Sequence, residues 1–344
     1  MKLLMITRKV DKDDHLAGFT YTWVKKLAGQ VDQLKVICLQ SGVLDGLPDN
    51  VEIFGLNKVG RIAKFLKFNK LAFKLIREVD GIFCHMNPEY TIAIAPYAKL
   101  FGKKIVSWYT HGSINFKMRL MAKIADVILT ASKDSFRLLS KKVVVVGHGI
   151  DLDRFQPGVG AKLNDFLELL TVGRISPTKD YESMIKAVDI LTKQGIDRIK
   201  LYIIGDIGLK EHQSYLDDLK QMVEKMNLKN KVQFFGPVPN SDIASHLQQA
   251  DVFINLSGTG SLDKAVLEAM ACGCLVLTSN TAFINILPAK LIVEKDSPQI
   301  LAERIKWIQD LSSDKVSQLS EQLHQEVFQN HNLDNLVKKI IKQF

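Results

Sequence analysis

The chain has 344 residues, 47% of them hydrophobic and 24% charged, a length that suits two domains and a composition that belongs to globular proteins. No apolar run approaches the roughly 20 residues of a membrane-spanning helix, and the run after Lys2 is too short for a signal-peptide core, so a cytoplasmic location is the default expectation. The net charge of +9 is uneven: residues 1–150 carry 24 Lys and Arg against 12 Asp and Glu, the remainder 22 against 25.

In chain order, the first half alternates short apolar runs with amphipathic stretches. The runs are LLMI (3–6), LKVICL (34–39), GIFC (81–84), KIVSWY (104–109), DVILT (126–130) and VVVV (143–146), with a helical pattern such as YTWVKKLAG (21–29) between them. Continuous apolar strands separated by helices predict a parallel sheet covered on both faces, a doubly wound α/β domain. Gly149, Pro157, Gly158 and Gly160 break this rhythm over 149–166, which places the inter-domain linker there. The pattern then restarts with ELLTVG (168–173), KLYIIG (200–205), VQFFG (232–236), DVFINL (251–256), CLVLTS (274–279) and KLIVE (290–294). Two such domains in tandem leave a cleft, and ligands of open α/β sheets sit at the carboxyl ends of strands. Cys38, Cys84, Cys272 and Cys274 have no partners at zinc spacing and read as reduced structural residues.

Three strand ends in the second half carry candidate chemistry. After the first, Gly173 and Arg174 are followed by Pro177 and Lys179, a fork of donors and a compact charge that suit an anion or simply a solvated surface. After the second, Gly205, Asp206 and Gly208 allow close backbone approach to a ligand, or a turn. The third is SGTGSLD (257–263), whose amides and hydroxyls precede a helical run and permit a phosphate site. Glu268 falls two turns into that run, four residues after Lys264, where an i,i+4 pair and a ligand contact are both open.

Together these stretches resemble the retaining glycosyltransferases of family 4, the glycosyl transferases group 1 type. VGRISPTKDYESMIKAVDIL, LYIIGD, VQFFGPVPNSDIASHLQQADVFINLS and VLEAMACGCLVLTSN match the family's ordered donor-domain motifs, and VVVVGHGIDLDRFQP matches its domain-boundary stretch. The resemblance covers nearly the whole chain. It implies the GT-B fold, with an acceptor-binding domain over 1–155, a nucleotide-sugar domain over 165–324, and a C-terminal helix, about 325–344, that packs back on the first domain.

The resemblance also assigns roles. Arg174 and Lys179 match the pair that holds the nucleoside diphosphate. Glu268 matches the second glutamate of an E-x7-E motif, which accepts from the ribose hydroxyls, and Val238 matches a main-chain contact to the base. Gly173, Gly205, Asp206, Thr259, Gly260, Ser261, Leu262 and Asp263 complete the donor-binding set. Gly18 matches the glycine loop of the first domain, and His111 matches the histidine beside the sugar, a catalytic position with Arg174 and Lys179. The first glutamate of the motif is Gly260 here, which removes a sugar-contacting carboxylate. Asp263 is placed to reach back into that space, and a non-catalytic nucleotide-sugar-binding subunit is the alternative.

The implied reaction is retaining hexosyl transfer from a nucleoside diphosphate sugar to an acceptor hydroxyl, with no cofactor or metal and with domain closure around the donor. The sequence does not choose the nucleotide or the sugar. A nicotinamide oxidoreductase is disfavoured because LLMITRKVDKD follows no G-x-G-x-x-G pattern. Lys58, Arg61, Lys64, Lys67, Lys70, Lys74 and Arg77 recur at near-helical intervals over 58–79 with Ile62, Phe65 and Leu66 among them, a candidate surface for an anionic membrane at the inner face. The competing expectation is an ordinary helix with its apolar stripe in the core. If the membrane is the partner, the acceptor is a lipid-linked or cell-envelope glycan. No stacking platform accompanies the charge, which argues against nucleic acid.

Overall fold

The apolar runs of the first half are strands of one parallel sheet in a computed structural model that describes residues 1–14, 17–57, 60–158, 166–258 and 260–344. The chain divides into unit 1, Met1–Asp151 with His331–Phe344, and unit 2, Leu152–Asn330. Unit 1 runs β1 (Lys2–Val10), α1 (Gly18–Ala28), β2 (Gln33–Ser41), β3 (Val51–Gly55), α2 (Arg61–Leu75), β4 (Gly81–His85), α3 (Pro88–Leu100), β5 (Lys104–Trp108), α4 (Phe116–Ile124), β6 (Val127–Thr130) and β7 (Val143–Val145). Its strand order is β3-β2-β1-β4-β5-β6-β7. Strand β3 has no counterpart among the sequence expectations. It is an edge strand, half-buried at every position, and its VEIFG sequence alternates where the central strands are continuously apolar.

The core of unit 1 joins Leu4, Ile6, Ile37 and Ile82 of the sheet to Phe68, Ala72 and Leu75 of α2 and Ile94 of α3. Trp23 of α1 packs against Trp108, with ring centroids 5.2 Å apart. No helix among the described residues is long and apolar enough to cross a membrane.

Unit 2 runs β8 (Leu167–Val172), α5 (Tyr181–Lys193), β9 (Ile199–Ile204), α6 (Gln213–Lys225), β10 (Val232–Gly236), α7 (Ile243–Gln249), β11 (Val252–Asn255), α8 (Lys264–Ala271), β12 (Leu275–Thr278), α9 (Pro298–Gln309) and α10 (Ser313–Asn330). The parallel order is β10-β9-β8-β11-β12. The direction of winding reverses between β8 and β11, and that reversal opens a crevice at their carboxyl ends. Two sequence expectations are corrected here. KLIVE is no strand: Lys290 and Leu291 belong to a 3-10 turn at Ala289–Leu291, which leaves one bridge, Thr278 to Ile292. The helix carrying Glu268 starts later than its apolar pattern, at Lys264 behind the capping residue Asp263, so Glu268 stands one turn in from its N-terminus.

The last helix, α11 (Leu333–Ile341), packs on α1 with Leu333, Leu336, Val337 and Ile340 buried at i, i+3, i+4 and i+7. It is entered through His331, which is 4% exposed. The His331 carbonyl accepts from the Ile150 amide at 2.7 Å, and its Nδ1 accepts from the His148 amide at 2.9 Å. Burial, then the Lys339 ammonium, lower its imidazole to about 4.

Candidate functional site

In unit 2 the carboxyl ends of the strands are knitted beyond the sheet. The Gly173 amide donates to the Ile204 carbonyl at 3.0 Å and the Gly205 amide to the Gly236 carbonyl at 2.9 Å. Gly205 has φ +145, and a Cβ there would lie 1.8 Å from the Gly173 carbonyl oxygen, so this close crossing requires glycine. The Ile175 amide then donates to the Asp206 carbonyl at 2.9 Å. Val238 follows β10, at the edge of the sheet.

The loop after β8 is fixed from below by Tyr181, fully buried at the start of α5, whose hydroxyl lies 3.2 Å from the Gly173 carbonyl and 3.4 Å from that of Arg174. Asp180 caps α5 from a left-handed conformation, φ 51, accepting from the Ser183 amide at 3.3 Å and from the Asp296 amide at 2.9 Å. Arg174 is exposed, its stem close against Gly208, and the Lys179 side chain lies over Gly173.

The Lys179 ammonium donates to Asp263 Oδ2 at 2.7 Å, and both side chains are 18% exposed. The same oxygen accepts from Asn255 Nδ2 at 2.9 Å, while Oδ1 caps α8 by accepting from the Ala265 amide at 3.2 Å. Burial works against the Asp263 charge, but the Lys179 ammonium and these hydrogen bonds outweigh it and hold the carboxyl below the ordinary range. Asp263 is therefore turned toward Lys179, whereas the sequence had placed it to reach into the space vacated at Gly260.

Gly260 is buried at φ 66, and the neighbouring Ser261 carbonyl accepts from Asn280 Nδ2 at 2.7 Å. Leu262 is buried beside them. Lys264 Nζ stands 3.3 Å from Glu268 Oε1, so the i,i+4 pair forms, yet that buried oxygen accepts no hydrogen bond. The Ser257 hydroxyl, also buried, makes none either. Thr259 lies outside the described residues.

In unit 1, Gly18 is the first residue of α1, the helix that follows β1 in the chain, its amide donating to the Asp14 carbonyl at 2.9 Å. His111 lies on the rim of a pocket of about 270 Å³ at the carboxyl ends of β4 and β5, shared with Met86, Glu89, Tyr109, Asn115 and Lys117. Met86 adopts φ 77, a strained conformation for a residue with a side chain. His111 Nδ1 accepts from the Ser113 amide at 3.2 Å and lies 2.6 Å from the Ser113 hydroxyl. Lys117 donates to Glu89 at 2.8 Å and lowers its carboxyl, while burial and then Glu89 raise the Tyr109 phenol.

The structure thus brings Gly173, Arg174, Lys179, Gly205, Asp206, Gly260, Ser261, Leu262, Asp263 and Glu268 to the strand ends and adjoining helix of unit 2, and places Gly18 and His111 at strand ends of unit 1. Sequence reasoning missed Asn255, Asn280, Asp180 and Tyr181. Asn255 and Asn280 had a readable signal, a polar residue closing an apolar strand in FIN and in LTSN.

A family model described as glycosyl transferases group 1 matches residues 153–326. The chain is 29% identical over 174 residues to D-inositol 3-phosphate glycosyltransferase of Geodermatophilus obscurus, covering 47% of this chain and 38% of that protein. It is 24% identical over 152 residues to the phosphatidylinositol N-acetylglucosaminyltransferase gpi3 subunit of Schizosaccharomyces pombe, covering 44% and 32%. The chain thus spans less than half the length of these relatives. The crystal structure of HepE from Anabaena in complex with UDP and glucose superposes with a TM-score of 0.79 at 16% identity, over 100% of this chain and 99% of that one. The fold is GT-B, as the sequence resemblance implied.

Proposed function

The chain belongs to the glycosyl transferases group 1 family, and from that premise we propose that it is a glycosyltransferase that moves a sugar from a nucleoside diphosphate to an acceptor hydroxyl, with the donor held by unit 2. The observation that carries this reading is Glu268: a buried carboxylate one turn into the helix at the winding reversal, whose Oε1 pairs with the Lys264 ammonium at 3.3 Å without a hydrogen bond. A carboxylate so placed has acceptor sites for the two hydroxyls of a ribose diol.

Lys179 and Arg174 stand at the neighbouring strand end to receive the diphosphate, and the Val238 main chain meets the base. As the anomeric C–O bond breaks, negative charge grows on the departing phosphate, where these cations and the amides of α8 stabilise it. The acceptor oxygen forms its bond on the same face of the sugar, and its proton passes to the departing phosphate, giving retention. With this charge supply no metal is required, so activity should survive EDTA. His111 and the pocket beside it serve the acceptor side in unit 1.

A lipid-linked acceptor at the cytoplasmic face of a membrane is supported by α2. Its Phe68, Ala72 and Leu75 enter the core, but it presents a second apolar group to solvent, with Ile62 78%, Phe65 66% and Leu66 62% exposed. Lys67, Lys70 and Lys74 are exposed on the same helix. Large apolar side chains flanked by cations suit the interface of an anionic bilayer. The name of the Schizosaccharomyces pombe relative points to phosphatidylinositol as that protein's own acceptor. Sedimentation with anionic vesicles, lost when Lys64, Lys67 and Lys70 are neutralised, would support this surface, and no sedimentation would remove it.

The second reading, nucleotide-sugar binding without turnover as part of a larger enzyme, draws on Gly260, which supplies no carboxylate, and on the relative whose name marks it as one subunit of a transferase. Thermal-shift screening of UDP-, GDP- and ADP-sugars, followed by assay of nucleoside diphosphate release with the best stabiliser, separates the two. The enzyme releases nucleoside diphosphate and loses this in Lys179→Ala, whereas the binding protein takes the donor without release.

A further inference from the structure

The groups expected to receive the donor's phosphates are held by a carboxylate of the chain itself. Asp263 takes the Lys179 ammonium at 2.7 Å, the Asn255 amide at 2.9 Å and the Ala265 amide of α8 at 3.2 Å. An anion at a helix N-terminus beside a lysine is the arrangement that would bind phosphate, and here the anion is covalently part of the loop. Glu268 Oε1, on the ribose side of the proposed site, faces the Lys264 ammonium at 3.3 Å and is held by no hydrogen bond.

We propose that Asp263 is a built-in counter-anion that competes with the donor's diphosphate for Lys179, and so sets donor affinity. The diphosphate binds by drawing the Lys179 ammonium from Asp263, and the displaced carboxylate keeps its bonds to Asn255 and the α8 amide. Asp263 then does not replace the sugar carboxylate missing at Gly260, since its Oδ2 is taken by Lys179 and Asn255 and its Oδ1 by the Ala265 amide. The proposal rests on reading unit 2 as the donor site and specifies what the phosphate end must overcome.

The test is titration of pyrophosphate, UDP, GDP and ADP into the wild type, Asp263→Asn, Asp263→Ser and Lys179→Ala. Asn and Ser both retain an N-cap acceptor for α8, so two independent variants keep the helix start, and their melting temperatures are measured alongside. Removing a competing charge should tighten pyrophosphate and the preferred nucleoside diphosphate by about ten-fold, a typical effect of one close charge. Binding of the corresponding nucleoside, which lacks phosphate, should not change, and Lys179→Ala combined with Asp263→Asn should lose the gain. If the Asp263 variants bind pyrophosphate equally or more weakly while Lys179→Ala still weakens it, Asp263 orients Lys179 and does not compete, and the proposal is overturned. If Lys179→Ala changes none of these affinities, the donor-site reading itself fails, and the counter-anion with it.

Discussion

The carbonyl oxygen of Gly173 stands 1.8 Å from where a Cβ on Gly205 would lie. This crossing sets the ends of β8 and β9 side by side and aims the Arg174 to Lys179 loop at the winding reversal. Gly205→Ala should therefore destabilise unit 2 by about 3 kcal/mol or more, since it combines a backbone clash with a φ of +145. Urea unfolding would show it, and an unchanged midpoint would mean that the crossing is looser than described.

Removing one oxygen from Tyr181 tests how the loop is held. Tyr181→Phe keeps the buried ring but leaves the Gly173 and Arg174 carbonyls without the hydroxyl that lies 3.2 and 3.4 Å away. The expected loss is about 1 kcal/mol of stability. Donor KM should rise more than kcat falls, because the loop carries Arg174 and Lys179, the residues proposed to hold the diphosphate. A variant with wild-type KM would detach Tyr181 from the site.

His331 gives a pH dependence with a definite sign. Its imidazole is lowered to about 4 in the folded chain from an ordinary 6.5, first by burial and then by Lys339. Between these values the unfolded chain binds a proton that the folded chain does not, so stability falls as pH drops from about 6.5 to 4 and levels off below that. The full difference is roughly 3 kcal/mol. His331→Gln, which keeps an acceptor for the His148 amide, should flatten that part of the profile, measured by chemical unfolding at a series of pH values. A profile as steep as the wild type would assign the acid sensitivity to other groups.

The two apolar groups of α2 should separate in mutagenesis. Phe68→Ala removes a core ring and should cost about 3 kcal/mol. Phe65→Ser, at a position 66% exposed, should leave stability within about 0.5 kcal/mol while weakening sedimentation with anionic vesicles. Loss of stability without loss of vesicle binding would return Phe65 to an ordinary structural role.

Most of the fold was legible because buried parallel strands are continuous apolar runs, and eleven of the twelve strands among the described residues carry one. The exception, β3, alternates at an edge, and KLIVE has the composition of a strand but only a single bridge. At the site, type and spacing marked Gly205, Lys179 and Glu268 as candidates, and the family resemblance supplied their roles. The direction of the Asp263 side chain was not readable, because it depends on Lys179 arriving from the loop after β8 to meet Asp263 and Asn255, and that meeting occurs only on folding. The strain at Met86 was hidden for the same reason: a positive φ at a residue other than glycine leaves no mark in the sequence.

Unit 2 is proposed to bind a nucleoside diphosphate sugar through Glu268 and Lys179. Calorimetric titration of UDP, GDP and ADP into the wild type, Glu268→Ala and Lys179→Ala decides this. The donor-site reading expects one nucleotide to bind the wild type, Glu268→Ala to weaken both that nucleotide and its free nucleoside, and Lys179→Ala to weaken the nucleotide while sparing the nucleoside. Absence of binding by all three nucleotides, or equal affinity in the wild type and Glu268→Ala, would contradict it.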